Sequence, residues 1–121
     1  MHEASLAEEI AAIVVRRAEP GAKVLAITLE IGALAGVECE ALHFALGSAL
    51  APTCAAGATV HILSLPARAR CRQCGAEQSI EIRFEPCECC GTAGLEILQG
   101  AEMRVRSIVQ SPALPLSVVQ N

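Results

Sequence analysis

A chain of 121 residues, 53% hydrophobic but with only Phe44 and Phe84 as aromatics, has room for one modest domain, or for one domain with a small metal module, built on Ala, Val, Ile and Leu. Its net charge of −4 counts against a nucleic-acid binder, whose affinity rests on basic surface. No apolar run approaches the ~20 residues of a membrane span, the start Met1-His2-Glu3 lacks the regions of a signal peptide, and seven cysteines without an export signal point to a reducing cytoplasm.

Ser5 and Glu8 have the spacing of a capping box. Leu6, Ile10, Ile13, Val14 and Arg17 follow at helical spacing, which predicts an amphipathic helix over 5–18, ended by Pro20-Gly21. Alternation over 24–31 predicts a strand, with Leu25, Ile27, Leu29 and Ile31 on its apolar face. A second helix is expected over 38–50, burying Leu42, Ala45, Leu46 and Ala49 and stopped before Pro52. A strand over 58–65 ends at Pro66, a further strand is expected within 77–84, and 95–98 returns toward the first unit. A last strand covers 103–109.

The expected fold is therefore α/β in the α+β sense: a small sheet with two helices on one face, plus an inserted zinc ribbon-like module. Residues 1–66 and 100–109 form the α/β domain, 67–99 the metal module, and 110–121, with Pro112 and Pro115 and no period, read as a mobile tail. Arg68, Arg70 and Arg72 alternate onto one face and read as a solvated face.

The strongest chemical signal is Cys71-Arg72-Gln73-Cys74-Gly75 and Cys87-Glu88-Cys89-Cys90-Gly91. Two C-x2-C pairs separated by twelve residues can close a tetrahedral thiolate cage, the usual structural Zn(II) site. The zinc ligands are Cys71, Cys74, Cys87 and Cys90, with Cys89 a spare thiol, because Cys87 with Cys89 would pinch the turn. The alternatives are two disulfides or a redox C-x-x-C. No export signal favours the first, and a redox pair needs no matching second pair.

Met1-His2-Glu3 carries a second, weaker signal. Initiator methionine is retained before a large second residue. The Met1 amine, the His2 backbone nitrogen and the His2 ring can then chelate one ion, with Glu3 adding its backbone nitrogen or carboxylate. Square-planar nitrogen sets suit Ni(II) or Cu(II). Equally, a histidine near a chain end is often merely solvent-exposed.

The chain resembles the HypA/HybF family of nickel metallochaperones of [NiFe]-hydrogenase maturation. The resemblance runs through Met1-His2-Glu3-Ala4-Ser5-Leu6-Ala7-Glu8, then Leu29-Glu30-Ile31-Gly32-Ala33-Leu34-Ala35-Gly36-Val37-Glu38, then the paired knuckles and Gln99-Gly100-Ala101-Glu102-Met103-Arg104-Val105. It covers about 1–109, in order. It implies a nickel site at His2 assisted by Met1 and Glu3, and a structural zinc site on the four cysteines. It further implies no catalytic activity, a nickel-handling GTPase partner (HypB), delivery to the hydrogenase large-subunit precursor, and in some members service to urease maturation proteins.

Cys39 and Cys54 read as small buried hydrophobes, and His43 and His61 as surface or packed histidines without a spaced partner. The chain has no aspartate for a Ser/His/Asp set and no phosphate-binding glycine loop, so any GTP dependence belongs to a partner. Two rivals stand beside nickel delivery. One is a zinc-ribbon adaptor for nucleic acid or a transcription complex, disfavoured by acidity and by the lack of stacking aromatics. The other is a metal enzyme, disfavoured because four cysteines leave zinc no open position.

Overall fold

The computed structural model describes residues 2–112. Along the chain run α1 (Glu3–Arg17), β1 (Val24–Gly32), α2 (Cys39–Leu50), β2 (Thr59–Leu65), β3 (Ala67–Arg70), β4 (Glu77–Ile80), β5 (Glu96–Gln99) and β6 (Met103–Gln110). Two three-stranded sheets result, ordered β2-β1-β6 and β4-β3-β5. The architecture is α+β, with two helices and the four cysteines brought together.

The chain packs as two compact units. The first takes residues up to Leu29, Val37–Ile62 and those from Val105 on; the second takes Glu30–Gly36 and Leu63–Arg104. In the first unit α1 packs on α2. Leu6, Ile10 and Val14 of α1 and Leu42 and Leu46 of α2 are almost wholly excluded from water, as the i, i+4 spacing requires. Val24, Ile27 and Leu29 of β1 are buried as well. Arg17, at the last turn of α1, donates from Nη1 to the Val105 carbonyl at 2.6 Å.

The second unit has a much smaller core: Ala67, Ala69, Cys71, Ile80, Cys87 and Leu95, with Leu34, Ala76 and Ile97 packed against it. Antiparallel pairing in β3–β4 sets Ala67 against Ile80 and Ala69 against Gln78. Residues 32–34 belong here because Gly32 donates to the Glu102 carbonyl (2.8 Å), Ala33 to Leu65 (2.9 Å) and Leu34 to Gly100 (2.7 Å). Gly32 and Gly100 meet backbone to backbone; a β-carbon on Gly32 would overlap the Gly100 carbonyl.

Several expectations need correction. α1 begins at Glu3 rather than Ser5, and His2 is its N-cap with no side-chain cap bond. The Ser5–Glu8 pair is therefore a surface feature of the helix, both residues being exposed. In β1 Leu25 is 47% exposed while Val24 is buried, so the strict alternation fails at the strand's start. β4 stops at Ile80, and Ile82 and Phe84 lie exposed beyond it. Gln110 belongs to β6, and Ser111 donates its amide to the Lys23 carbonyl at 2.8 Å. The rest of the expected tail, 113–121, lies outside the described residues.

Candidate metal centre

Two near-identical turns bring the four cysteines together. In the first, Gly75 N–H donates to the Cys71 carbonyl and Cys71 N–H to the Ala76 carbonyl, both at 2.9 Å. In the second, Gly91 N–H donates to the Cys87 carbonyl and Cys87 N–H to the Thr92 carbonyl, again at 2.9 Å. Each turn closes on a glycine with positive φ, 78° at Gly75 and 75° at Gly91. A side chain there would have open space but a strained backbone, so the requirement is conformational rather than steric.

The four sulfurs lie within 4.8 Å of one another. Cys71 Sγ is 3.5 Å from Cys90 Sγ, and Cys74 Sγ is 3.7 Å from Cys87 Sγ. Tetrahedral zinc thiolate, with bonds of about 2.3 Å, needs sulfurs about 3.8 Å apart. The donor set therefore fits Zn(II), whose role when bound is to neutralise the thiolates and staple the turns. Backbone amides point at the sulfurs: Gln73 and Cys74 N–H at Cys71 Sγ (3.4 and 3.5 Å), and Cys89 N–H at Cys87 Sγ (3.4 Å). Cys71 and Cys87 are buried, whereas Cys74 and Cys90 face outward.

Cys74, Cys87 and Cys90 hold their protons unequally. The Thr92 hydroxyl, 3.0 Å from Cys90 Sγ, and the Thr92 amide bring the Cys90 thiol down to about 6. Amides of Cys90 and Cys89 lower Cys87. At Cys74 the Ala76 amide favours the thiolate, but desolvation and the thiols of Cys87, Cys71 and Cys90 prevail and push it up to about 12. A divalent ion removes the conflict, since four clustered negative sulfurs are tolerable only around positive charge.

Cys89 contributes an amide but falls outside the group of four. Cys39 is half-buried, 4.0 Å from the Val37 carbonyl. Cys54 is exposed, against the expectation that it is a small buried hydrophobe; it lies in the turn before β2, while Ala55 beside it takes the buried position. His43 and His61 are exposed on α2 and β2. Arg68 and Arg70 are held by Ser79, Glu77 and Glu96 across the small sheet.

At the chain start His2 is exposed and extended, with φ −81° and ψ 125°, and its carbonyl accepts the Leu6 amide at 3.1 Å. The Glu3 carboxylate accepts the backbone N–H of Glu38 at 3.0 Å. That amide, followed by Glu3's own, holds the carboxyl below its usual value. The Glu38 side chain in turn caps α2, accepting from Glu40 N–H (3.3 Å) and Ala41 N–H (2.6 Å). No local pattern signals this link, because it joins residues 35 apart through a backbone amide. Met1 lies outside the described residues.

Fold and site together define a metal-binding α+β protein with a closed four-cysteine centre. A family model described as "Hydrogenase/urease nickel incorporation, metallochaperone, hypA" matches residues 1–110. The chain belongs to this HypA family of nickel metallochaperones, which are maturation factors and not catalytic enzymes. It is 46% identical over 110 residues to a hydrogenase maturation factor HypA from Cereibacter sphaeroides, covering 89% of this chain and 97% of that one. It is 36% identical to HypA from Geotalea daltonii over 108 residues, with the same coverage. The solution structure of the Ni metallochaperone HypA from Helicobacter pylori shares the fold, with a TM-score of 0.66 at 22% identity over 89% of this chain and 96% of that one.

Proposed function

We propose that this protein carries Ni(II) to the [NiFe]-hydrogenase large-subunit precursor, taking the ion at Met1, His2 and Glu3 and holding a structural Zn(II) at Cys71, Cys74, Cys87 and Cys90. The observation that carries the reading is membership, across residues 1–110, of a family described by hydrogenase and urease nickel incorporation. Its partners on this reading are the GTPase HypB, the precursor, and urease maturation proteins as a second destination. A thiolate cage is kept reduced in the cytoplasm.

The geometry at His2 supports nickel binding for a specific reason. The first four N–H groups of a helix have no intrahelical acceptor. His2 is the N-cap of α1 and Glu3 its first residue. Their amides can lose protons to a metal without breaking a helical bond. The Glu3 carboxylate already accepts from Glu38, which commits it to holding the start of α1. Nickel so placed takes a square-planar nitrogen set.

The zinc-ribbon adaptor reading gains nothing from the surface, since Arg68 and Arg70 are engaged within their own sheet. The deciding experiment is a metal titration of protein whose first residue is Met1, counting nickel and zinc separately. One nickel and one zinc per chain are expected. His2→Ala and an N-terminal extension should each abolish stoichiometric nickel and leave zinc unchanged. An extended protein that binds one nickel as tightly as the parent would place the ion elsewhere.

A further inference from the structure

Among the described residues the buried polar side chain is Gln78, only 7% exposed. It sits in β4 opposite Ala69, itself wholly buried. A leucine would fill this position without desolvating an amide, so the amide calls for a reason. Its Nε2 donates to the Pro86 carbonyl at 3.2 Å, and its Oε1 accepts from the Glu88 N–H at 2.9 Å. These two peptide groups stand immediately on either side of Cys87. The amide's orientation follows from its partners, because a flip would set donor against donor and acceptor against acceptor.

The first knuckle has only Arg72 and Gln73 between its cysteines, so its second ligand has no competitor. The second knuckle places two adjacent thiols, Cys89 and Cys90, where one ligand is needed. The Cys87–Glu88 peptide lies between Cys87 and this pair of thiols. That peptide's N–H is the group Gln78 holds.

We propose that Gln78 is the positioning residue of the second knuckle, gripping the peptide groups that flank Cys87 so that Cys90 rather than Cys89 completes the cage. The proposal rests on the reading of Cys71, Cys74, Cys87 and Cys90 as the zinc ligands. Thr92 acts from the other side, through its bond to Cys90 Sγ at 3.0 Å and through its carbonyl, which accepts the Cys87 amide. Gln78 thus fixes where the turn enters and Thr92 where it closes.

The test compares zinc-loaded wild-type protein with Gln78→Met, which keeps the length and apolar fill and removes both hydrogen bonds. Thiols are alkylated with iodoacetamide and located by tandem mass spectrometry, and zinc transfer to a competing chelator is timed. Wild type should hold one zinc per chain, with Cys89 labelled and Cys90 protected. Gln78→Met should still hold one zinc, share labelling between Cys89 and Cys90, and release zinc roughly tenfold faster, the size expected for losing two net hydrogen bonds in a partly solvated turn. Adding Cys89→Ala to Gln78→Met should restore full Cys90 protection. Wild-type labelling and release in Gln78→Met would overturn the proposal. So would complete loss of zinc, because the amide would then be needed to fold the unit rather than to choose between thiols. If wild-type zinc does not protect the four cysteines, the cage reading itself fails, and that is seen before any variant is compared.

Discussion

The Glu3 carboxylate could position the chain start or ligate the metal, and substitution separates the two roles. The Glu3 carboxylate accepts the Glu38 amide, a bond that glutamine can also accept. Glu3→Gln should therefore keep nickel affinity within a few-fold, whereas Glu3→Ala, which frees the start of α1, should weaken it more. Equal, large losses in isothermal titration would instead make the carboxylate a ligand. The same bond gives a pH dependence. The folded carboxyl lies below its usual value of 4.5, so the Glu3–Glu38 link is present above that value and is lost as pH falls through the lowered folded one. The Glu38 amide resonance should report that step in an NMR titration. At the cage, Cys71→Ala, Cys74→Ala, Cys87→Ala and Cys90→Ala should each cost zinc, while Cys89→Ala should keep near-normal content. Zinc retained by Cys90→Ala but lost by Cys89→Ala would reverse the assignment.

At the scale of elements, α2 depends on its cap and its buried face. Removing the Glu38 side chain leaves the Glu40 and Ala41 amides to solvent, so Glu38→Ala should cost roughly 1 kcal/mol in denaturant unfolding without disturbing zinc. Leu42 and Leu46 are fully buried, and Leu42→Ala should cost about 2–5 kcal/mol, enough to unfold much of a small unit. The salt bridges of Arg70 to Glu77 (3.2 Å) and Glu96 (3.8 Å) join half-exposed groups, so alanine at Arg70 should change stability by less than about 1 kcal/mol. These elements were largely legible in the sequence, since hydrophobic spacing repeated over three or more turns survives local error. The start of α1 was not. The Ser5–Glu8 pattern is a common capping signature, but helix starts are set by a few local bonds, and here a helix-first residue is tied to a distant amide.

Across the whole molecule, the two units differ in what holds them. The first buries long aliphatic side chains from both helices. In the core of the second only Ile80 and Leu95 are larger than cysteine, and two of its six residues, Cys71 and Cys87, belong to the four-cysteine cluster. Such a core does not offset its own conformational entropy, so on the zinc reading a bound ion would supply folding energy. Stripping zinc with a chelator should therefore abolish hydrogen-exchange protection in β3, β4 and β5 and leave α1 and α2 protected. Protection of β3–β5 that persists after zinc removal would show that the small core suffices alone.

The sequence by itself determined the four-cysteine cage, both helices and the α+β class, because ligand spacing and apolar periodicity are local properties of the chain. Composition also required a core of Ala, Val, Ile and Leu, and the buried hydrophobic residues are of these types together with cysteine. Only the tertiary structure decided which residues serve as long-range partners. Leu25 and Cys54 turn outward although their types favour burial. Residues 32–34 join the second unit through backbone bonds to 65, 100 and 102. Gln78, an ordinary polar residue in a short strand, becomes the buried grip on the second knuckle. Each of these depends on where a distant peptide group or side chain comes to lie, and a residue's type carries no record of that.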